Sequence, residues 1–95
     1  MLTITDAAQK RITGLLADQE RQGLALRIAI QGRGPGGFQY KLGFAREADK
    51  APDDIVVDAE GVKVFIDPES APNLTGATID FIDGLYESGF RINNP

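Results

Sequence analysis

A segment of helical period followed by several short segments of strand period predicts a mainly β domain, a sandwich or distorted barrel with one helix against its side. The chain has 95 residues and reads as a single domain, 1–95, with no internal repeat and no low-complexity stretch. A chain this long buries roughly 64% of its unfolded surface, which supplies a core without disulfides or structural metal.

The helix is predicted from Asp6 to Gln22. Thr5 suits the N-cap, Asp6 the positive end of the dipole, Arg21 the negative end, and Gly23 the stop. Ala8, Ile12, Leu15 and Leu16 form an apolar stripe at helical spacing, with Lys10 and Arg11 outward. The period then changes to two. Leu24, Leu26, Ile28 and Ile30 alternate with Ala25, Arg27 and Ala29, and Phe38, Tyr40, Leu42 and Phe44 alternate with Gln39, Lys41 and Gly43. The polar stretch Ala45–Asp54, with Pro52, reads as an exposed connection. Ile55–Asp58 and Val62–Asp67 flank the turn Ala59-Glu60-Gly61 as a hairpin. Asp67-Pro68-Glu69 suits a capped helical turn, and Thr78–Ile82 and Phe90–Asn93 read as the last strands. Leu26, Ile28, Phe38, Tyr40, Leu42, Val64, Ile66, Ile79 and Phe81 are expected to be substantially buried.

The residues that are missing narrow the chemistry. The chain has no Cys, His or Trp. Zinc, copper, haem and thiolate-held clusters therefore have no ordinary ligands, and no thiol nucleophile, imidazole base or Ser–His pair exists for catalysis. The sequence does not read as an enzyme. Residues 1–46 carry a net charge of +4 and residues 47–95 a net −8, for −4 overall. That balance argues against general nucleic-acid binding, and it is used either by pairing the two halves within one fold or in a subunit or partner contact. No apolar stretch has membrane-span or signal-peptide length, so the expected setting is cytoplasmic, with no membrane partner.

The conspicuous segment is Gly32-Arg33-Gly34-Pro35-Gly36-Gly37, followed by Phe38. It satisfies G-x-G-x-x-G, but the dinucleotide motif requires a helix next and strand period follows instead. It is too long for a tight hairpin, and its glycines suggest unusual dihedrals or close backbone approach. An irregular strand crossover and a binding loop remain the two readings. In the second, Arg33 and unpaired backbone N–H groups form a concave anion site. Asn73-Leu74-Thr75 matches a glycosylation sequon by chance. Asp80, Asp83 and Glu87, like Asp53 and Asp54, lack calcium-loop spacing and read as solvated faces. Tyr40 and Tyr86 read as amphipathic residues at the edge of the core.

Gly32-x-x-Pro35-x-Gly37-Phe38-x-Tyr40, Gly61-Val62-Lys63-Val64 with Asp67-Pro68-x-Ser70, Ile79-Asp80-Phe81, Gly89-Phe90 and Asn94-Pro95 run in the order and spacing of the A-type iron–sulfur carriers. Ile4-Thr5-Asp6-Ala7-Ala8 resembles the helix start of that family, the HesB/IscA-like proteins. The resemblance spans essentially the whole chain. It implies two mixed β-sheets with an N-terminal helix, a common dimeric state, and receipt and delivery of iron–sulfur clusters. In the family pattern the position of Pro35 is a cysteine, and a Cys-Gly-Cys pair lies a few residues beyond the Asn-Pro. None of these cysteines occurs here, so no cluster ligand, metal site or cofactor carries over. What carries over is the frame of Gly32, Gly34, Gly36, Gly37 and Phe38, in which Pro35 holds Gly34 extended.

The expected function is accessory: a non-ligating homologue acting in cluster assembly or delivery by protein contact. Assembly proteins, client enzymes or a cysteine-bearing paralogue are the expected partners, with a homodimer as the expected state. The alternative is a small-molecule or anion-binding module that uses the Gly-rich loop.

Overall fold

Thr5 opens the single helix in the way its side chain dictates. In the computed structural model, which describes residues 2–18, 22–59, 61–85 and 88–94, its backbone is extended and its Oγ1 accepts from the Ala8 N–H at 3.2 Å. Helix α1 runs over Asp6–Leu16, with Ala8 and Ile12 buried. It ends at Leu16, with Ala17 as its C-cap, short of the expected Gln22; past Leu16 the next large apolar residue is Leu24, so the apolar stripe does not continue. Gly23 still turns the chain, with φ +80°, while Arg21 lies outside the described residues.

Among the described residues seven strands accompany the helix: β1 Thr3–Ile4, β2 Leu24–Gly34, β3 Gly37–Arg46, β4 Ile55–Ala59, β5 Val62–Ile66, β6 Thr78–Asp83 and β7 Ser88–Asn93. The two-residue β1 was not legible in the sequence. The expected β4–β5 hairpin forms, with Gly61 at φ +80°; Glu60 lies outside the described residues. The strands make a three-stranded sheet, β1-β6-β7, and a four-stranded sheet, β3-β2-β5-β4. Each is mixed: β1 is parallel to β6 and β2 to β5, and the other pairs are antiparallel. The sheets do not close into a barrel, so of the two predicted architectures only the layered one is realised.

The register lines up the core. Leu26 pairs with Val64 and Ile28 with Ile66 across β2 and β5, and all four are buried with Ile4, Ile12, Leu74 and Ile79 in one cluster that joins the sheets and α1. Phe38, Tyr40 and Leu42 are only half-buried, contrary to expectation. They sit on β3, an edge strand, with a neighbour on one flank only. Phe81 is half-buried too; the Arg11 guanidinium lies 5.6 Å from its ring centroid.

The outer face of the four-stranded sheet holds a second buried group. Phe65 is fully buried yet is separate from the main cluster. Its register partners are Arg27 and Val56. Of the 45–54 stretch expected to be an exposed connection, Ala45 and Arg46 belong to β3, and the remainder delivers Asp54 to Arg27 as an ion pair. Asp80 is likewise structural and not part of a solvated face. Its Oδ1 accepts from Thr5 Oγ1 at 2.7 Å and from the Phe81 N–H at 2.8 Å.

Past the end of β5, Asp67 caps a turn, accepting from the Ser70 N–H through both its backbone carbonyl and Oδ2, each at 3.1 Å. A short 3-10 helix, Ala71–Leu74, follows. Ser70 is buried, and its Oγ takes the Ile30 N–H at 3.0 Å. The ladder on β2 is thereby continued where β5 has ended. This anchors β2 one residue before it becomes irregular.

Candidate functional site

The glycine-rich segment is a tight hairpin rather than a long loop. Gly32, Arg33 and Gly34 belong to β2, Gly37 and Phe38 to β3, and only Pro35-Gly36 turns. Gly34 faces Gly37 and Arg33 faces Phe38. Of the glycines in this tip only Gly37, at φ +109°, requires the left-handed region. Close approach does not explain the rest: a Cβ on Gly32 or Gly34 would meet Gln39 at ordinary distances of 3.8 and 3.5 Å, and one on Gly36 would meet open space. Proline suits the leading turn position because its φ is already set.

One irregularity decides where Arg33 goes. Ile30 pairs with Tyr40, but Gly32 pairs with Gln39, so the register shifts by one at Gln31. Below the bulge, Leu26, Ile28 and Ile30 share the inner face. Had the alternation continued, glycines would occupy that face near the tip and Arg33 would be on the other. The shift instead puts Arg33 opposite Phe38, on the same face as Tyr40, which is the re-aiming that a bulge performs. The guanidinium carbon lies 4.7 Å from the Phe38 ring centroid, a cation–π stack. The Phe38 and Tyr40 rings meet edge-on at 6.3 Å.

Beneath this face is a cleft of about 410 Å³, lined by Arg33, Phe38, Tyr40 and the Gly36-Gly37 backbone on the hairpin and by Ile92 and Asn94 at the end of β7. Asn94 ties the walls together. Its Nδ2 donates to the Tyr40 hydroxyl at 3.0 Å and to the Asn73 carbonyl at 2.7 Å. The sequon residue Asn73 is therefore part of the support. Of the predicted site residues, Arg33, Gly36, Gly37 and Phe38 reach the cleft, while Gly32, Gly34 and Pro35 do not line it. Tyr40, Ile92 and Asn94 were missed as site residues. Tyr40 and Asn94 stand in the motifs quoted above, and only the fold shows that those motifs meet.

Among the described residues, Arg33 is the single charged group lining the cleft. Among the described residues, no three of Asp, Glu, His and Cys gather where a metal ion would be held. Glu87 and the Asp83 side chain, with Tyr86 and Pro95, lie outside the described residues. Also among the described residues, no helix is long and apolar enough to cross a membrane.

A β-rich domain of two mixed sheets with an N-terminal helix is the arrangement the sequence resemblance implied. The chain belongs to the iron–sulphur cluster biosynthesis family, whose model matches residues 1–95. It is 43% identical over 94 residues to the iron–sulfur cluster insertion protein ErpA of Mannheimia succiniciproducens, covering 99% of this chain and 81% of that one. It is 42% identical over 95 residues to an uncharacterized protein of Bradyrhizobium diazoefficiens, covering 88% of that protein. Among solved structures, IscA with the [2Fe-2S] cluster superposes with a TM-score of 0.78 at 33% identity, covering all of this chain and 86% of IscA. Escherichia coli SufA gives 0.80 at 30% identity, covering 99% and 80%.

Proposed function

We propose that this protein works in iron–sulfur cluster assembly or delivery by contact with other proteins, without itself holding the cluster. Membership of the family over the whole chain supports the process. The donor set supports the non-ligating role: the tip residue at the family's cysteine position is Pro35, and the 95 residues contain neither thiol nor imidazole. Hydroxyls, amides and an arginine do not fit a cluster that needs thiolates. No step of cluster transfer is therefore assigned to these side chains.

The partners in this reading are assembly proteins, client enzymes or a cysteine-bearing paralogue in the cytoplasm, and the working state is a dimer. Shape supports association. The chain is flat, 40 × 39 × 19 Å, and exposes 6203 Å², against roughly 5,300 Å² for a monomeric protein of this mass. Affinity capture from a native lysate of the source cell, followed by mass spectrometry, tests the proposal. Enrichment of cluster-assembly proteins or iron–sulfur enzymes is the expected result. Their absence, or a stoichiometric cluster on the anaerobically purified protein, overturns it.

A further inference from the structure

We infer that the cleft between the hairpin tip and β7 is a binding site for small organic carboxylates. The inference does not depend on a role in cluster assembly. Arg33 is placed there by the bulge at Gln31. It forms no ion pair with any described residue, although the chain carries 14 acidic side chains. No carboxylate of the described residues lines the cleft. The guanidinium carbon lies over the Phe38 ring, and the N–H fork that an arginine carries matches a carboxylate in two parallel hydrogen bonds.

A second donor is set up by Asn94. Both Nδ2 hydrogens are committed, one to the Asn73 carbonyl and one to the Tyr40 oxygen. The Tyr40 hydroxyl therefore receives a hydrogen bond and keeps its own proton to donate. Phe38 and Ile92 add apolar wall beside these donors. A cleft of about 410 Å³ is within the size range of small-molecule sites. One arginine fork, one hydroxyl donor and apolar walls suit a carboxylate on a short carbon body better than a bare inorganic anion.

Amide and arginine Nε–H NMR titrations test the assignment. Sodium succinate and sodium citrate are added to the wild-type protein and to Arg33→Gln, Arg33→Lys and Tyr40→Phe, with sodium phosphate and sodium chloride at matched ionic strength as controls. The expected result is saturable shifts at Arg33, Gly36 and Gly37 with the carboxylates and none with chloride. Arg33→Gln should weaken the affinity by about tenfold or more, with Arg33→Lys between it and wild type, and Tyr40→Phe should weaken it by about two- to tenfold. Arg33 is exposed, so signals away from the tip report whether each variant is folded. Undiminished affinity in Arg33→Gln, or equal response to chloride, overturns the site. Tighter binding of phosphate than of either carboxylate overturns the ligand class.

Discussion

Arg27 on β2 and Asp54 at the end of the connection that follows β3 form an ion pair on the outer face of the four-stranded sheet, with the Asp54 side chain only 3% exposed and that of Arg27 31%. Asp54 Oδ2 also accepts from the Ala51 N–H at 2.9 Å. The Arg27 hydrogen bond, then the Ala51 N–H, hold the Asp54 carboxyl below its ordinary value, against the opposing effect of burial. The connection is thus pinned across the sheet by a charge that the fold itself makes more acidic.

A depressed carboxylate pKa gives stability that is complete above the unfolded value, about 3.9, and is lost as pH falls through the lower folded value. Wild type should therefore exceed Asp54→Asn in stability at pH 7. The gap should narrow only below about pH 4 and close once the folded carboxyl is protonated. Urea unfolding of both proteins from pH 7 to 2 measures this. A gap that is absent at pH 7, or that persists unchanged at the acid end, would show that the pair does not act through its charge.

Phe65 and Val56 are register partners on one face of the sheet but differ in cover: Phe65 is fully buried and Val56 is 45% exposed. Phe65→Ala should cost about 3–5 kcal/mol, the usual penalty for emptying an aromatic site. Val56→Ala should stay within about 1 kcal/mol. Thermal and chemical unfolding of the two variants decide whether Phe65 anchors a true second core. Equal small losses would mean that it does not.

Thr5 joins the helix to the three-stranded sheet, accepting from the Ala8 N–H and donating to Asp80. Thr5→Ala removes both and should cost about 1–2 kcal/mol, the upper part of the range for a lost N-cap. Thr5→Ser keeps a hydroxyl in place and should cost a few tenths. Denaturant midpoints for the pair, read beside Asp80→Asn, separate the cap from the cross-link. A loss in Thr5→Ser as large as that in Thr5→Ala would assign the effect to the methyl group.

The sequence is most legible where period and burial coincide. Leu26, Ile28, Val64, Ile66 and Ile79 alternate in strand fashion and are buried as expected. Two mixed sheets were legible only through resemblance, because alternation says nothing about whether β2 pairs with β5 in parallel. Phe65 was missed because period-two reading sends alternate residues outward, yet it is fully buried. The tip was misread for a related reason. Glycine density suggested an irregular loop, whereas an edge hairpin accommodates Gly32, Gly34 and Gly36 without needing them. The bulge at Gln31, which determines the face Arg33 takes, leaves no composition signal. Neither does the meeting of Asn94 with Tyr40, two residues far apart in the chain that only the packing of β7 under the hairpin brings together.

That meeting also frames the last prediction, the return of cluster binding by design. The resemblance places thiolates at the Pro35 position and, as Cys-Gly-Cys, shortly after the Asn-Pro, and the fold puts the hairpin tip and Asn94 on one cleft. Pro35 is exposed and sits in a two-residue turn, so Pro35→Cys should disturb little beyond the loss of a preset φ. Pro35→Cys together with a Cys-Gly-Cys segment placed a few residues after Pro95 should acquire visible absorbance, iron and sulfide on anaerobic reconstitution. Pro35→Cys alone should bind poorly, because one thiolate per chain supplies only two to a dimer. The added segment alone should bind better than the point change and worse than the combination. Absorbance spectra with iron and sulfide analysis of the three variants beside wild type read the order directly. A combined variant that is folded yet colourless would mean that the hairpin has diverged past presenting a ligand, and would remove the geometric premise of an inherited carrier frame. A coloured one would show that the frame itself is competent to hold a cluster once thiolates are supplied.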